Sequence, residues 1–171
     1  MNIIPKKEIN KIGLLIYEAE NCGAVHVAKK NGIPVVLIKP SEYLTQIEYQ
    51  NEILKSLKRN NISHIFLLGF QYLILKEILD AYPNKIMNVH PSLFPSFLAT
   101  KTAIQDALNY GVKITGITTH IIDNEYDKGI ILYQEPIRVK EGDTFESLYP
   151  KFSQIGISII LKTMNRIESG K

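Results

Sequence analysis

Short apolar runs alternate with longer periodic segments along most of the chain. Ile12-Gly-Leu-Leu-Ile-Tyr17, Val35-Val-Leu-Ile38 and the run from Ile62 to Leu68 are continuous and apolar, as suits strands buried on both faces of a parallel sheet. Lys85 to Val89 forms a fourth strand. Between these runs, Cys22 to Asn31 reads as a helix with Asn21 at its N-cap and Gly32 as its stop. Gln46 to Asn60 carries Ile47, Ile53, Leu54 and Leu57 at helical spacing, and Leu73 to Ala81 and Ala103 to Asn109 are shorter helices. The character then changes. Lys113 to Ile122 and Ile130 to Pro136 are strands joined by the short polar turn Asp123 to Gly129, which predicts an antiparallel hairpin. Thr144 to Glu168 places apolar residues at 145, 148, 152, 155, 159 and 160, a long amphipathic helix capped by Asp143-Thr144 and followed by Gly170. Strands alternating with helices imply right-handed crossovers and an α/β fold with a mostly parallel sheet. In such sheets ligands bind at the carboxyl ends of the strands.

Composition narrows the function classes. With 171 residues the chain predicts one domain spanning 1–171, at roughly 100–200 residues per domain. An apolar fraction of 45% and a net charge of +3 exclude a disordered chain. The single Cys excludes a disulfide framework and a Cys-rich zinc site and fits a reducing cytoplasm; no metal is expected. The 17 Lys and 3 Arg are dispersed with no basic run, which gives no support to nucleic-acid binding. Apolar stretches such as Ile65-Phe-Leu-Leu-Gly-Phe70 are far short of a bilayer span, and the N-terminal residues lack a signal-type apolar region. The expectation is a soluble cytoplasmic domain with no membrane partner.

Two segments carry candidate chemistry. Asn88-Val-His-Pro-Ser-Leu-Phe-Pro95 follows the fourth strand. Alternation puts Asn88 and His90 on one side at its carboxyl edge, and Pro91 and Pro95 stiffen the exit. Taken alone, the segment is either a polar site or an ordinary proline turn. The turn Asp123-Asn-Glu-Tyr-Asp127-Lys-Gly129 is acidic, and its spacing does not fit an EF-hand loop. Taken alone, it is a solvated loop or part of a site.

Together with Gly116-Ile-Thr-Thr-His120, these segments resemble the folate-dependent formyltransferases. In order they give Asn-x-His-Pro-Ser-Leu-x-Pro, Gly-x-Thr-x-His and Asp-x-Gly, over about Ile12 to Ile160. That family includes the glycinamide ribonucleotide, methionyl-tRNA and sugar N-formyltransferases, and His-Pro-Ser with Thr-Thr-His120 leans toward the glycinamide ribonucleotide branch. The resemblance implies a three-layer Rossmann-like domain with a C-terminal antiparallel hairpin and long helix. It also implies transfer of a formyl group from 10-formyltetrahydrofolate to a primary amine of a small, glycinamide ribonucleotide-like or amino-sugar substrate. Asn88 and His90 would stabilise the oxyanion, and Asp127 would orient His90 and relay the amine proton. Pro91, Ser92, Thr118, His120 and Gly129 would support that centre. The donor would lie against Leu68, Gly69, Phe70, Gln71, Tyr72 and Leu73, and against Ile122, Asp123 and Tyr126 of the turn.

The chain departs from that pattern in three places. By that resemblance it is expected to start at the family's second strand, without the first strand and its Gly-rich phosphate loop, which Met1 to Asn10 is not expected to replace. A homo-oligomer completing the sheet is one expected compensation. Leu98-Ala-Thr-Lys-Thr102 replaces a Pro-Gly with one extra residue, and Gly156 stands where the glycinamide branch has a ribose-binding Glu. Two alternatives therefore stand beside the enzyme: a degenerate formyltransferase-fold protein acting as a non-catalytic binding or subunit module, and a misassigned start.

Overall fold

The structure, a computed structural model, describes residues 6–20, 23–123 and 129–170. In chain order the elements are α1 (Lys6–Ile9), β1 (Leu15–Tyr17), α2 (Gly23–Lys30), β2 (Val35–Leu37), a 3-10 turn (Pro40–Glu42), α3 (Gln46–Arg59), β3 (Ile65–Leu67), α4 (Lys76–Ala81), β4 (Ile86–His90), α5 (Ala103–Tyr110), β5 (Ile114–Ile121), β6 (Ile131–Arg138) and α6 (Phe145–Glu168). They fall into two compact units, one of residues 1–64 and 74–83, the other of residues 65–73 and 84–171.

In the first unit β1 and β2 pair in parallel, Leu15 with Val35 through Tyr17 with Leu37. α2 ends as expected at a left-handed glycine, Gly32 (φ 71°); its expected N-cap, Asn21, lies outside the described residues. α3 starts with a capping box: the Thr45 hydroxyl accepts from Glu48 N–H, and the Glu48 carboxylate accepts from Thr45 N–H. Its inward face buries Tyr49 and Leu57 with the polar Gln50, whose carbonyl accepts the Leu75 N–H at 2.9 Å before α4. That bond satisfies a side chain that is 1% exposed.

The second unit is built on the sheet β3-β4-β5-β6, parallel between β3 and β4 and antiparallel thereafter. β5 and β6 form the expected hairpin. Among the described residues β1 pairs only with β2, and β3 only with β4. Each of these strands therefore has one hydrogen-bonded side, and each ladder covers three residues. The apolar runs predict strands buried on both faces; β1, β2 and β3 are instead half-buried, and pairing is confined to the shorter stretch.

Parity along β5 divides the sheet into two faces. Ile117 and Thr119 face α6: Ile117 joins Ile104, Ile137, Leu148, Phe152 and Ile159 in one core cluster, and the hydroxyls of Thr119 and Thr163 lie 2.9 Å apart. Gly156 of α6 sits on the same side, and a Cβ there would come 3.8 Å from the Ile117 methyl, an ordinary contact. Thr144 caps α6 in a box with Ser147. Asp143 beside them accepts from Lys140 N–H, the Ser147 hydroxyl and Lys151 Nζ; these donors, the backbone one foremost, pull its pKa from 3.8 to about 2. The even-numbered residues of β5 face the other way.

The β5–β6 ladder carries a bulge. Thr119 pairs with Tyr133 and His120 with Ile131, so Leu132 is an extra residue on β6. Its carbonyl accepts from Arg166 Nη1 at 2.8 Å, and the same guanidinium lies 5.6 Å from the Tyr133 ring centroid.

Candidate active site

The even face of β5 explains the spacing of its motif. Gly116, Thr118 and His120 are two residues apart and so share one face. In the antiparallel register Thr118 stands opposite His90 and His120 opposite Asn88 on β4, and residues directly opposite share a face. Asn88, His90, Thr118 and His120 therefore form one polar patch, with His90, Thr118 and His120 all buried.

Each member is held by a specific bond. His120 Nδ1 lies 3.1 Å from the Ile121 carbonyl, an acceptor, so Nδ1 carries the proton. Nε2 is then an acceptor, and the Asn88 amide nitrogen donates to it at 3.3 Å. His90 Nε2 donates to the Phe97 carbonyl at 2.9 Å. The Phe94 ring lies between the two imidazoles, 5.1 Å from His90 and 4.9 Å from His120. The loop after His90 presses against the sheet: a Cβ at Gly116 would come within 2.7 Å of Leu93 and 2.2 Å of the Glu135 carbonyl. Glycine there is a space requirement.

The loop is also tied to β5. The Thr118 hydroxyl donates to the Ser92 carbonyl at 2.7 Å and accepts from Phe94 N–H at 3.2 Å. The buried Ser92 hydroxyl donates to the Ser96 carbonyl at 2.6 Å. Pro91 opens this loop, and Phe97 and Ala99 adopt left-handed backbone (φ 54° and 53°), a conformation that costs roughly 1–2 kcal/mol for a residue with a Cβ.

Leu67, the last residue of β3, pairs with Asn88. The segment Leu68 to Leu73 thus begins next to the patch. Leu68 is 64% exposed and Leu73 36%; Gly69 is left-handed, Gln71 donates to its carbonyl, and Phe70 packs edge-on against Tyr72. At the far end of β5, Ile122 N–H donates to the Ile86 carbonyl at 2.8 Å, and Asp123 follows it in the chain. Gly129 closes the turn so tightly that a Cβ would sit 1.6 Å from the Ile121 carbonyl. Tyr126 and Asp127 lie outside the described residues. Two participants had no signature in the sequence: the Phe97 carbonyl, because a main-chain acceptor is independent of residue type, and Gln134, which reads as an ordinary strand residue. A separate groove of about 420 Å³ in the first unit, lined by Tyr43, Glu48, Asn51, Glu52, Leu54, Lys55 and Lys58, contains none of these residues. Among the described residues there is no cluster of three metal-ligating side chains, and no helix is long and apolar enough to cross a membrane.

An amide and an imidazole at the carboxyl end of a sheet strand, with a threonine and a second imidazole facing them, form a polar centre on an α/β fold. The chain belongs to the formyl transferase family, whose model matches residues 3–164. It is 32% identical over 142 residues to the phosphoribosylglycinamide formyltransferase of Bacillus subtilis, covering 83% of this chain and 72% of that protein. It is 33% identical over 144 residues to the chloroplastic phosphoribosylglycinamide formyltransferase of Arabidopsis thaliana, covering 79% of this chain and 48% of that one. Among solved structures, phosphoribosylglycinamide formyltransferase from Bacillus halodurans superposes with a TM-score of 0.87 at 31% identity, covering 95% of this chain and 85% of that chain. The fold matches the expectation of a Rossmann-like formyltransferase architecture.

Proposed function

We propose that residues 1–171 act as one formyltransferase domain that moves a formyl group from 10-formyltetrahydrofolate to the primary amine of a small substrate. The names of its relatives favour glycinamide ribonucleotide as that substrate. The observation that carries this reading is the shared face of Asn88 and His90, each oriented by a bond to a neighbouring element.

The donor supplies an electrophilic formyl carbon whose oxygen gains negative charge as the amine attacks. Asn88 retains a second amide N–H beyond the one given to His120, and His90 lies beside it on the same face. Both are fixed before the substrate arrives, so little reorganisation accompanies charge development. Removing such a donor costs about 10²–10³ in rate. Asp127, reached through the turn, would hold His90 and take the amine proton through water. The residues after β3 fit a flat heterocycle with amide-like edges: Leu68 and Leu73 supply exposed apolar surface, and the chain around Gly69 supplies main-chain groups.

The decisive experiment measures formyl transfer to glycinamide ribonucleotide by the wild type and His90→Ala, with calorimetric titration of a folate analogue. Transfer and folate binding by the wild type, with turnover lost in His90→Ala and folate binding kept, support the reading. A wild-type chain that neither binds the folate nor transfers formyl to any amine overturns it.

A further inference from the structure

The loop between His90 and Phe97 is held from outside by a residue with no motif. Gln134 on β6 pairs in register with Thr118 on β5, which pairs with His90 on β4, so the three form one row across the sheet. The Gln134 amide nitrogen lies 3.1 Å from the Phe94 carbonyl and 3.1 Å from the Thr118 hydroxyl oxygen. Its two N–H groups therefore meet two acceptors.

The Thr118 hydroxyl is thereby saturated. It donates its proton to the Ser92 carbonyl, and its lone pairs accept from Phe94 N–H and from Gln134. Three main-chain groups of the loop, the Ser92 carbonyl and both the N–H and the carbonyl of Phe94, are thus fixed by two side chains. Ser96 is then closed onto Ser92, and Phe97 follows in left-handed backbone with its carbonyl 2.9 Å from His90 Nε2. A carbonyl only accepts, so Nε2 keeps its proton in either charge state of the ring. Nδ1 is the nitrogen that gains or loses one.

We infer that Gln134 is a positioning residue for His90: by pinning Phe94 and Thr118 it places the Phe97 carbonyl, and that carbonyl dictates which imidazole nitrogen exchanges protons. Nothing in the inference requires Gln134 to touch a substrate. Its kinetic consequence rests on the formyl-transfer reading, and its structural consequence does not. Gln134 is an exposed side chain, so replacing it removes the clamp without opening the core.

The test compares wild type, Gln134→Met and Gln134→Glu. Met keeps the length and removes both donors; Glu is isosteric but turns a carboxylate toward the Phe94 carbonyl. Long-range proton–nitrogen NMR correlation of the histidine rings, with His90 assigned through His90→Asn, reads the Nε2–H directly. The expected result is loss of the resolved His90 Nε2–H signal in both variants, more completely in Glu, with an unchanged melting temperature. Turnover falls about 10–10²-fold with unchanged KM values, the scale of a misplaced catalytic group. Unchanged His90 ring signals in both variants overturn the inference. So does a wholesale drop in melting temperature with the ring signals altered only on unfolding, which makes Gln134 a stability residue. If the wild type transfers no formyl group, the functional reading fails, and the ring signals alone decide the role of Gln134.

Discussion

Asn88 and His120 face each other across β4 and β5, and the asparagine amide donates to an imidazole nitrogen whose partner nitrogen is already committed to the Ile121 carbonyl. The direction of the Asn88 amide is therefore set by a residue 32 positions away in the chain. His120→Ala frees the amide to rotate. Turnover should fall by about 10-fold to 10²-fold, less than the roughly 10²–10³ expected for Asn88→Ala. In an Asn88→Ala background the same change should cost almost nothing further, because the two residues act as a unit. A double-mutant cycle on kcat/KM measures this; full additivity would show that the contact does not orient the amide.

Gly116→Ala should destabilise the second unit. The added methyl meets the Glu135 carbonyl at 2.2 Å and Leu93 at 2.7 Å, so either the β5–β6 ladder or the loop has to move. Overpacking of this kind costs about 1–3 kcal/mol. Urea unfolding gives the loss, and a variant as stable as the wild type would contradict the close approach.

Ala99 holds a left-handed backbone at φ 53°. Ala99→Gly removes the steric cost, about 1–2 kcal/mol, but adds unfolded-state freedom worth roughly 0.5–1 kcal/mol. A small net gain, about 0.5–1 kcal/mol, is expected. Ala99→Val should lose stability instead. Thermal melts of the pair should shift in opposite directions.

Asp143 links α6 to pH. Its folded-state pKa of about 2 lies below its ordinary value of 3.8. The stabilisation is therefore fully present above about pH 4 and is lost as pH falls toward 2. Asp143→Asn should be less stable than the wild type at neutral pH, and the two should converge on acidification. Proton NMR titration of Asp143, with melts between pH 2 and 6, checks both the value and the sign.

Leu148 and Ile159 are fully buried on the α6 side of the sheet. Truncating either to alanine should cost about 2–5 kcal/mol. At temperatures where the variant stays folded, KM and the rate should hold, because the patch with Asn88 and His90 lies on the opposite face. Guanidinium unfolding and steady-state kinetics separate the two effects.

Long periodic elements were legible almost to the residue. The reading of Thr144 to Glu168 meets a helix over Phe145–Glu168, and Lys113 to Ile122 meets a strand over Ile114–Ile121. Eight or more residues of one period leave little ambiguity. β1 and β3 are shorter than their apolar runs and only half-buried, since such a run reports side-chain hydrophobicity while pairing needs a neighbouring strand. Helix α1 and the 3-10 turn at Pro40–Glu42 are too short to carry a period. In the candidate site, alternation was enough to put Asn88 and His90 on one side. The partners of His90 lie beyond such reasoning, because Phe97 contributes only its carbonyl and Gln134 contributes through register with a strand whose offset depends on a bulge.

That bulge makes the hairpin sensitive to residue count more than to residue type. Leu132 carries no motif, and its contribution is to exist, with a carbonyl turned to Arg166. Leu132→Ala should leave the hairpin in place. Deleting Leu132 would tempt the two strands into an unbroken ladder. The pairs on either side, Thr118 with Gln134 and His120 with Ile131, would keep their register and faces, while the local twist of the bulge and the carbonyl that holds Arg166 would be lost. A single lost codon in β6 would thus spare the row through Gln134 and instead cut a tie between the hairpin and α6.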